Sequence, residues 1–155
     1  MDIFYAAKYG DLDIVKNLIK NGSDLNSKDD DGNTALIVAS WSGKIGTVKY
    51  LIDKDADVNA ENNDGDTALM FASWYGKINI VKYLVKKGAE VNTKNEYGDT
   101  SLMTASRYGH LNIVKYLIEN GADVNAKDNY GNTAIDYAVK RGRNLTVSYL
   151  LEKGA

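Results

Sequence analysis

The side chain best suited to chemistry in this 155-residue chain is its one histidine, His110. A histidine triad could use only that residue, and a multi-histidine metal site cannot be built from it. The absence of cysteine removes disulfides, thiolate metal sites, iron–sulfur clusters and cysteine nucleophiles. The run Asp53, Asp55, Asp57, Asn59 imitates the start of a calcium loop. Such a loop needs glycine at its sixth position and glutamate at its twelfth, where this chain has Val58 and Asp64. The turn SKDDDGNT, beginning at Ser27, fails the same test with Val38 in the glutamate position. The glycosylation sequons at Asn21 and Asn144 are no more than chance provides in so asparagine-rich a chain. No catalytic residue, metal ligand or cofactor site is therefore expected. A net charge of −2 and a pI near 5.4 give no bulk drive toward nucleic acid or an anionic membrane. No apolar run approaches the roughly 20 residues of a membrane span, and the N-terminus MDIFYAAKYGDLD does not read as a secretory signal. Cytoplasm is the default compartment on those grounds.

The elements that must hold these residues follow from a repeat. Gly32, Gly65, Gly98 and Gly131 are 33 residues apart, as are Gly10, Gly43, Gly76, Gly109 and Gly142. Gly22, Gly88, Gly121 and Gly154 fill a third slot of the frame. Alanine recurs at Ala39, Ala72 and Ala105, valine at Val48, Val81 and Val114, and leucine at Leu51, Leu84 and Leu117. Within each unit a turn glycine is followed two residues later by a threonine (Thr34, Thr67, Thr100, Thr133) placed to cap a helix. A short helix such as 35–42 then ends at Gly43, and a second, from about Ile45 to Lys54, carries Ile45, Val48, Leu51 and Ile52 on one face. Two short helices and a hairpin-like loop cannot bury a core alone, but stacked units can. Asp55 stands in the third glycine slot of one unit, where a left-handed conformation would cost about 1 kcal/mol. His110 shares its slot with Lys44, Lys77 and Arg143, which predicts a solvated helix start. The column Tyr50, Tyr83, Tyr116, Tyr149 flanks the core face and predicts a stacked ladder between units.

The period, the openings GNTAL, GDTAL and GDTSL, the helix-ending glycine followed by Val-x-x-Leu, and the GADVNA tail resemble the ankyrin repeat over the whole chain. The family's usual T-P-L-H is replaced by TALI, TALM, TSLM and TAID. Apolar packing by Ile37, Met70 and Met103 is expected to take over from the family histidine. The resemblance implies an all-α solenoid of five helix pairs, over roughly 2–19, 34–54, 67–87, 100–120 and 133–152. The five repeats, approximately 1–28, 29–61, 62–94, 95–127 and 128–155, form a single domain. Lys16 and Asn17 at one end, and Asp136, Lys140, Arg143 and Asn144 at the other, predict polar outer faces on terminal capping repeats and a complete solenoid.

The resemblance further implies a noncatalytic, monomeric protein-interaction scaffold. It binds a protein partner through the concave face formed by first helices and hairpin tips. Tyr9, Trp41, Ser42, Trp74, Tyr75, Arg107, Tyr108, Lys140 and Arg141 fall on the first helices, and Asp31, Asn33, Asp64, Asp66, Tyr97, Asp99 and Tyr130 on the tips. Trp41 lies about 200° around its helix from Ala39, so it should point away from the core with Ile37 its only cover. The surface should be acidic on the tips, aromatic in the groove and basic toward Arg107, Lys140 and Arg141. The alternative is a ligand- or single-stranded-nucleic-acid-binding array in which these aromatics stack bases; the acidic tips argue against it.

Overall fold

The computed structural model describes residues 2–155, leaving Met1 of the first unit outside it. Among the described residues the chain forms ten helices: α1 (Ile3–Tyr9), α2 (Leu12–Lys20), α3 (Ala35–Trp41), α4 (Ile45–Asp53), α5 (Ala68–Trp74), α6 (Ile78–Lys86), α7 (Ser101–Tyr108), α8 (Leu111–Glu119), α9 (Ala134–Lys140) and α10 (Asn144–Glu152). They pair as the 33-residue frame requires, within one or two residues of the expected bounds. An isolated bridge between Glu61 and Thr67 is the one strand-like pairing among these residues.

Threonine starts the inner helices. Thr34, Thr67 and Thr100 each accept the backbone N–H three residues on at 3.3 Å. In the last repeat Asp136 instead accepts the backbone N–H and the hydroxyl of Thr133, at 2.7 and 2.8 Å. Those bonds hold its carboxyl below the usual range. The residue that departs most from the family opening thus acquires a capping role. Ile37, Met70 and Met103, at the same slot, are buried as expected.

First helices stack on first helices from α1 to α9, and second helices on second helices from α2 to α10, the inner row being the tighter. The core runs through the stack as Ala39, Ala72 and Ala105 with Val48, Val81, Val114, Leu51, Leu84 and Leu117, all fully buried. Asparagine stitches the loops together. Asn59 accepts from Glu90 N at 2.9 Å and donates to Gly88 O at 3.2 Å, and Asn92 repeats both bonds with Asp123 and Gly121. On the outer row the tyrosine ladder has lysine rungs rather than stacked rings. Lys49, Lys82 and Lys115 lie 5.7, 5.7 and 5.3 Å from the rings of Tyr83, Tyr116 and Tyr149 in the next repeat.

Two expectations change. His110 and its slot-mates do more than start a solvated helix, as described below. The last repeat is also not uniformly polar on its outer side. Val139 and Leu151 are exposed, whereas their frame equivalents Ser106 and Ile118 are buried and half-buried by the next repeat.

All 13 frame glycines have positive φ, and Asp55 is the only other described residue that does, at 67°. Its carboxylate makes no hydrogen bond to offset the strain. Asp55→Gly should therefore raise stability by up to about 1 kcal/mol, the gain being trimmed by the freer unfolded chain; a lower denaturation midpoint would contradict this. Leu84→Ala, with repeats on both sides, should cost about 2–5 kcal/mol. Leu150→Ala, equally buried but with one neighbouring repeat, should cost less in the same denaturant melts.

Candidate functional site

The hairpin tips are bonded into a row. Asn63 N donates to Asp31 O at 3.0 Å, Glu96 N to Asp64 O at 2.9 Å, and Asn129 N to Tyr97 O at 3.0 Å. A Cβ added at Gly32 would lie 2.6 Å from the Asn63 nitrogen, and one at Gly98 would lie 2.7 Å from that of Asn129. Left-handed φ and close approach together demand glycine there.

Behind the tips the first helices carry a continuous aromatic string. Trp41 meets Phe71 edge-on at 5.2 Å, and Phe71 lies parallel to Trp74 at 6.2 Å. Trp74 stacks with Tyr75 at 5.6 Å and with Tyr108 of the next repeat at 5.7 Å, and Tyr108 reaches His110 at 6.4 Å. Trp74, Tyr75 and Tyr108 are exposed. Trp41 is not: it is half-buried against the core, and Phe71 of the next repeat meets its ring. Tyr9 stands apart from the string, its ring tilted against that of Tyr5 at 4.6 Å. Ser42 is half-buried, while Lys140 and Arg141 are exposed at the far end.

His110 supports this string from beneath. Its Nε2 donates to the Trp74 carbonyl at 2.9 Å, and Arg143 Nε donates to the Arg107 carbonyl at 3.3 Å. Each basic side chain reaches back across the helix-ending glycine of the preceding repeat, so that a Cβ on Gly76 would lie 2.7 Å from the imidazole. A donor at a helix C-terminus satisfies an orphan carbonyl and complements the dipole.

The tip residues divide into free and engaged. Asp31, Asp64, Tyr97 and Tyr130 are exposed, Tyr130 at 82%. Asn33 and Asp99 are buried, at 4% and 9%, and are not free acidic or polar tips. Asn33 donates to Asp29 Oδ2 at 3.3 Å and accepts from Asn62 at 3.1 Å. Asp99 takes both its bonds from Arg107 Nη2, at 3.0 and 3.3 Å. Arg107 accordingly adds no free positive charge to the groove. Its guanidinium also lies 3.9 Å from the centre of the Tyr137 ring, whose hydroxyl donates to Asp128. Burial would loosen the Arg107 proton, but the charge and hydrogen bonds of Asp99 outweigh it and raise the guanidinium pKa. Burial likewise raises the Tyr137 hydroxyl, helped by its bond to Asp128. For Asp128 burial is outweighed by bonds from Tyr137, Asn132 and two backbone N–H groups, which hold its carboxyl down to about 2.

Between tips and helices lies a concave pocket of about 420 Å³. Trp74, Phe71, Tyr97, Tyr130 and Tyr137 supply its aromatic walls, and Asp64, Asp66, Asp99, Asp128 and Arg107 its charges. Seven of the expected residues meet here: Asp64, Asp66, Trp74, Tyr97, Asp99, Arg107 and Tyr130. Phe71, Tyr137 and Asp128 were missed. Phe71 and Tyr137 occupy one column with Val38 and Thr104, and so mixed a column shows no periodicity. Their legible signal was helical spacing, since Phe71 is three residues before Trp74 on the same face.

A family model described as ankyrin repeats in three copies matches residues 3–95 and again 90–155. The chain belongs to the ankyrin-repeat family. A comparison with curated protein sequences finds no match. Ankyrin repeats are generally protein-interaction modules and are typically noncatalytic. Among the described residues of this ankyrin array no helix is long and apolar enough to cross a membrane.

The array's last junction carries an acid dependence. With a carboxyl at about 2 in the fold against an ordinary 3.8, Asp128 contributes stability that is complete above about pH 4 and is lost as the pH falls through about 2. Tyr137→Phe removes the foremost bond holding it down. Its carboxyl should then titrate higher by carbon-detected NMR, and acid unfolding should begin at a higher pH. An unmoved Asp128 titration would show that the phenol plays no part.

Proposed function

We propose that the chain is a noncatalytic scaffold that binds a protein partner on its concave face, across the first helices and hairpin tips of repeats two to five. The observation that carries this reading is the aromatic string from Trp41 to Tyr108, exposed at Trp74, Tyr75 and Tyr108. Its rings are fixed by stacking on one another and by packed helices, so little side-chain freedom is lost when a partner covers them. Tyr and Trp are the side chains that most often dominate binding energy, at the centre of an interface. Aromatics of roughly 150–250 Å² each suffice for much of the about 800 Å² per partner of an ordinary interface.

Charge supports a protein over a nucleic acid. The free tip carboxylates of Asp31 and Asp64 border the groove, and Arg107 is neutralised by Asp99. Phosphate would have to approach past the first and could not use the second. A partner with an apolar anchor beside basic residues fits both the rings and the tips. The exposed carboxylates should tune association rate and salt dependence more than affinity.

The test compares Trp74→Ala and Tyr108→Ala with the unaltered chain, using a partner captured by pull-down. Each truncation should weaken binding by about 2 kcal/mol, roughly thirtyfold, with little change in melting temperature. Unchanged affinity would remove the aromatic face from the interface, and a collapse in melting temperature would assign these rings to the fold. A salt-sensitive gel shift with single-stranded RNA would favour the alternative.

A further inference from the structure

The carboxylates lining the groove pocket are not equally served. In repeat four, Asp99 is neutralised by Arg107, eight residues on, in the helix that follows it. Asp66 holds the same frame position in repeat three, but the slot equivalent to Arg107 is there Trp74. A tryptophan supplies an aromatic face and no charge. Among the described residues Asp66 receives one side-chain hydrogen bond, from Asn95 to Oδ1 at 2.8 Å, and no cation. Burial raises its carboxyl pKa, the bond from Asn95 lowers it, and the neighbouring Asp64 and Asp99 raise it further. A carboxylate short of a counter-charge thus faces an aromatic-walled pocket open to solvent.

The same pocket contains its own precedent for what such a site accepts. Arg107 lies flat on Tyr137 while giving two hydrogen bonds to Asp99. A guanidinium suits this combination because it is planar, weakly hydrated and able both to stack and to pair with a carboxylate. We propose that the pocket takes the guanidinium of an arginine side chain presented by a protein partner, with Asp66 as counter-ion and Trp74 and Tyr97 as walls. This rests on the reading of the concave face as the docking surface and adds one chemical requirement for the partner. The arginine does for Asp66 what Arg107 does for Asp99. Its occupancy turns four pocket carboxylates against one guanidinium into four against two. At about 420 Å³ the pocket falls within the roughly 300–1,000 Å³ of ligand sites.

The test uses the full, isotopically labelled chain and three small probes: N-acetylarginine methylamide, its lysine counterpart and its citrulline counterpart. Citrulline keeps the shape of arginine and lacks the charge. Titrations are followed by amide NMR at constant ionic strength. The arginine probe should shift amides around Asp66, Trp74 and Tyr97, bind more tightly than the lysine probe, and bind at least about tenfold more tightly than citrulline. Asp66→Asn, which can still accept the bond from Asn95, should remove that preference at unchanged melting temperature. Equal binding of citrulline, equal binding of lysine, shifts mapping elsewhere, or no shift would each overturn the proposal. The citrulline comparison needs no variant, so it stands even if Asp66→Asn fails to fold. Failure here is separable from failure of the docking face. Tyr108 stacks in the aromatic string but does not line the pocket, so Tyr108→Ala reports on the face while the arginine probe reports on the pocket.

Discussion

Neighbouring repeats approach one another most closely at their left-handed turns, and most of what is distinctive here follows from that approach. At Gly32 and Gly98 the backbone of the next tip lies where a Cβ would be, and at Gly76 the ring of His110 does. No larger side chain could keep both the positive φ and the spacing. With the spacing fixed, each tip can donate a backbone N–H to the tip before it. Two second helices, α8 and α10, also begin with a base, His110 and Arg143, that reaches back to a carbonyl in the first helix of the preceding repeat. A helix that starts with a cation opposes its own dipole, and Lys44, Lys77 and Arg143 make no side-chain cap to their own helices. Arg143 relieves that opposition by delivering its charge to the last turn of α7 in the preceding repeat.

The same register decides where charge can be buried. Each inner tip combines one carboxylate with one amide: Asp29 with Asn33, Asp66 with Asn62, Asp99 with Asn95, and Asp128 with Asn132. Between repeats three and four an acid meets an amide, as Asp66 does Asn95. Between repeats four and five the corresponding positions are both acids, Asp99 and Asp128. Two unpartnered carboxylates buried in one junction would be costly. Arg107 and Tyr137 remove the conflict, the first by pairing with Asp99 and the second by donating to Asp128, with the guanidinium stacked on the phenol between them.

Helix bounds were legible in the sequence because each rests on local chemistry. A threonine hydroxyl starts the inner first helices and a left-handed glycine follows nearly every helix, so a 33-residue ruler sufficed. The core columns were legible for the same reason, since each inner repeat fully buries the same alanine, valine and leucine. What could not be read was any relation particular to one junction. Arg107 and Asp99 are eight residues apart, and helical spacing does not relate them because Asp99 lies outside α7, before its capping residue Thr100. Their pairing turned two residues expected on the free surface into an internal ion pair. Helical angle points Trp41 away from the core and gives it cover only from its own helix. Phe71, which meets its ring, comes from the next repeat, where the same column is valine in one unit and threonine in another. His110 does start a helix, as its slot-mates predict, but its bond to a carbonyl 36 residues back has no local signature.

The proposed docking face and the stacking of repeats therefore draw on different columns of one frame. Columns that repeat without change pack the core or hold left-handed turns, where a departure is strained, as at Asp55 with φ of 67°. Columns that vary open together on the groove: Val38, Phe71, Thr104 and Tyr137 in one, and Trp41, Trp74, Arg107 and Lys140 in another. A side chain in these columns is met by its counterpart one repeat away, so a change at one position alters the company of the next. Placing tryptophan rather than arginine at position 74 leaves Asp66 without a cation and at the same time gives Tyr108 a ring to stack on. The aromatic platform and the unmatched carboxylate are two consequences of a single residue, and a partner that covers one is brought within reach of the other.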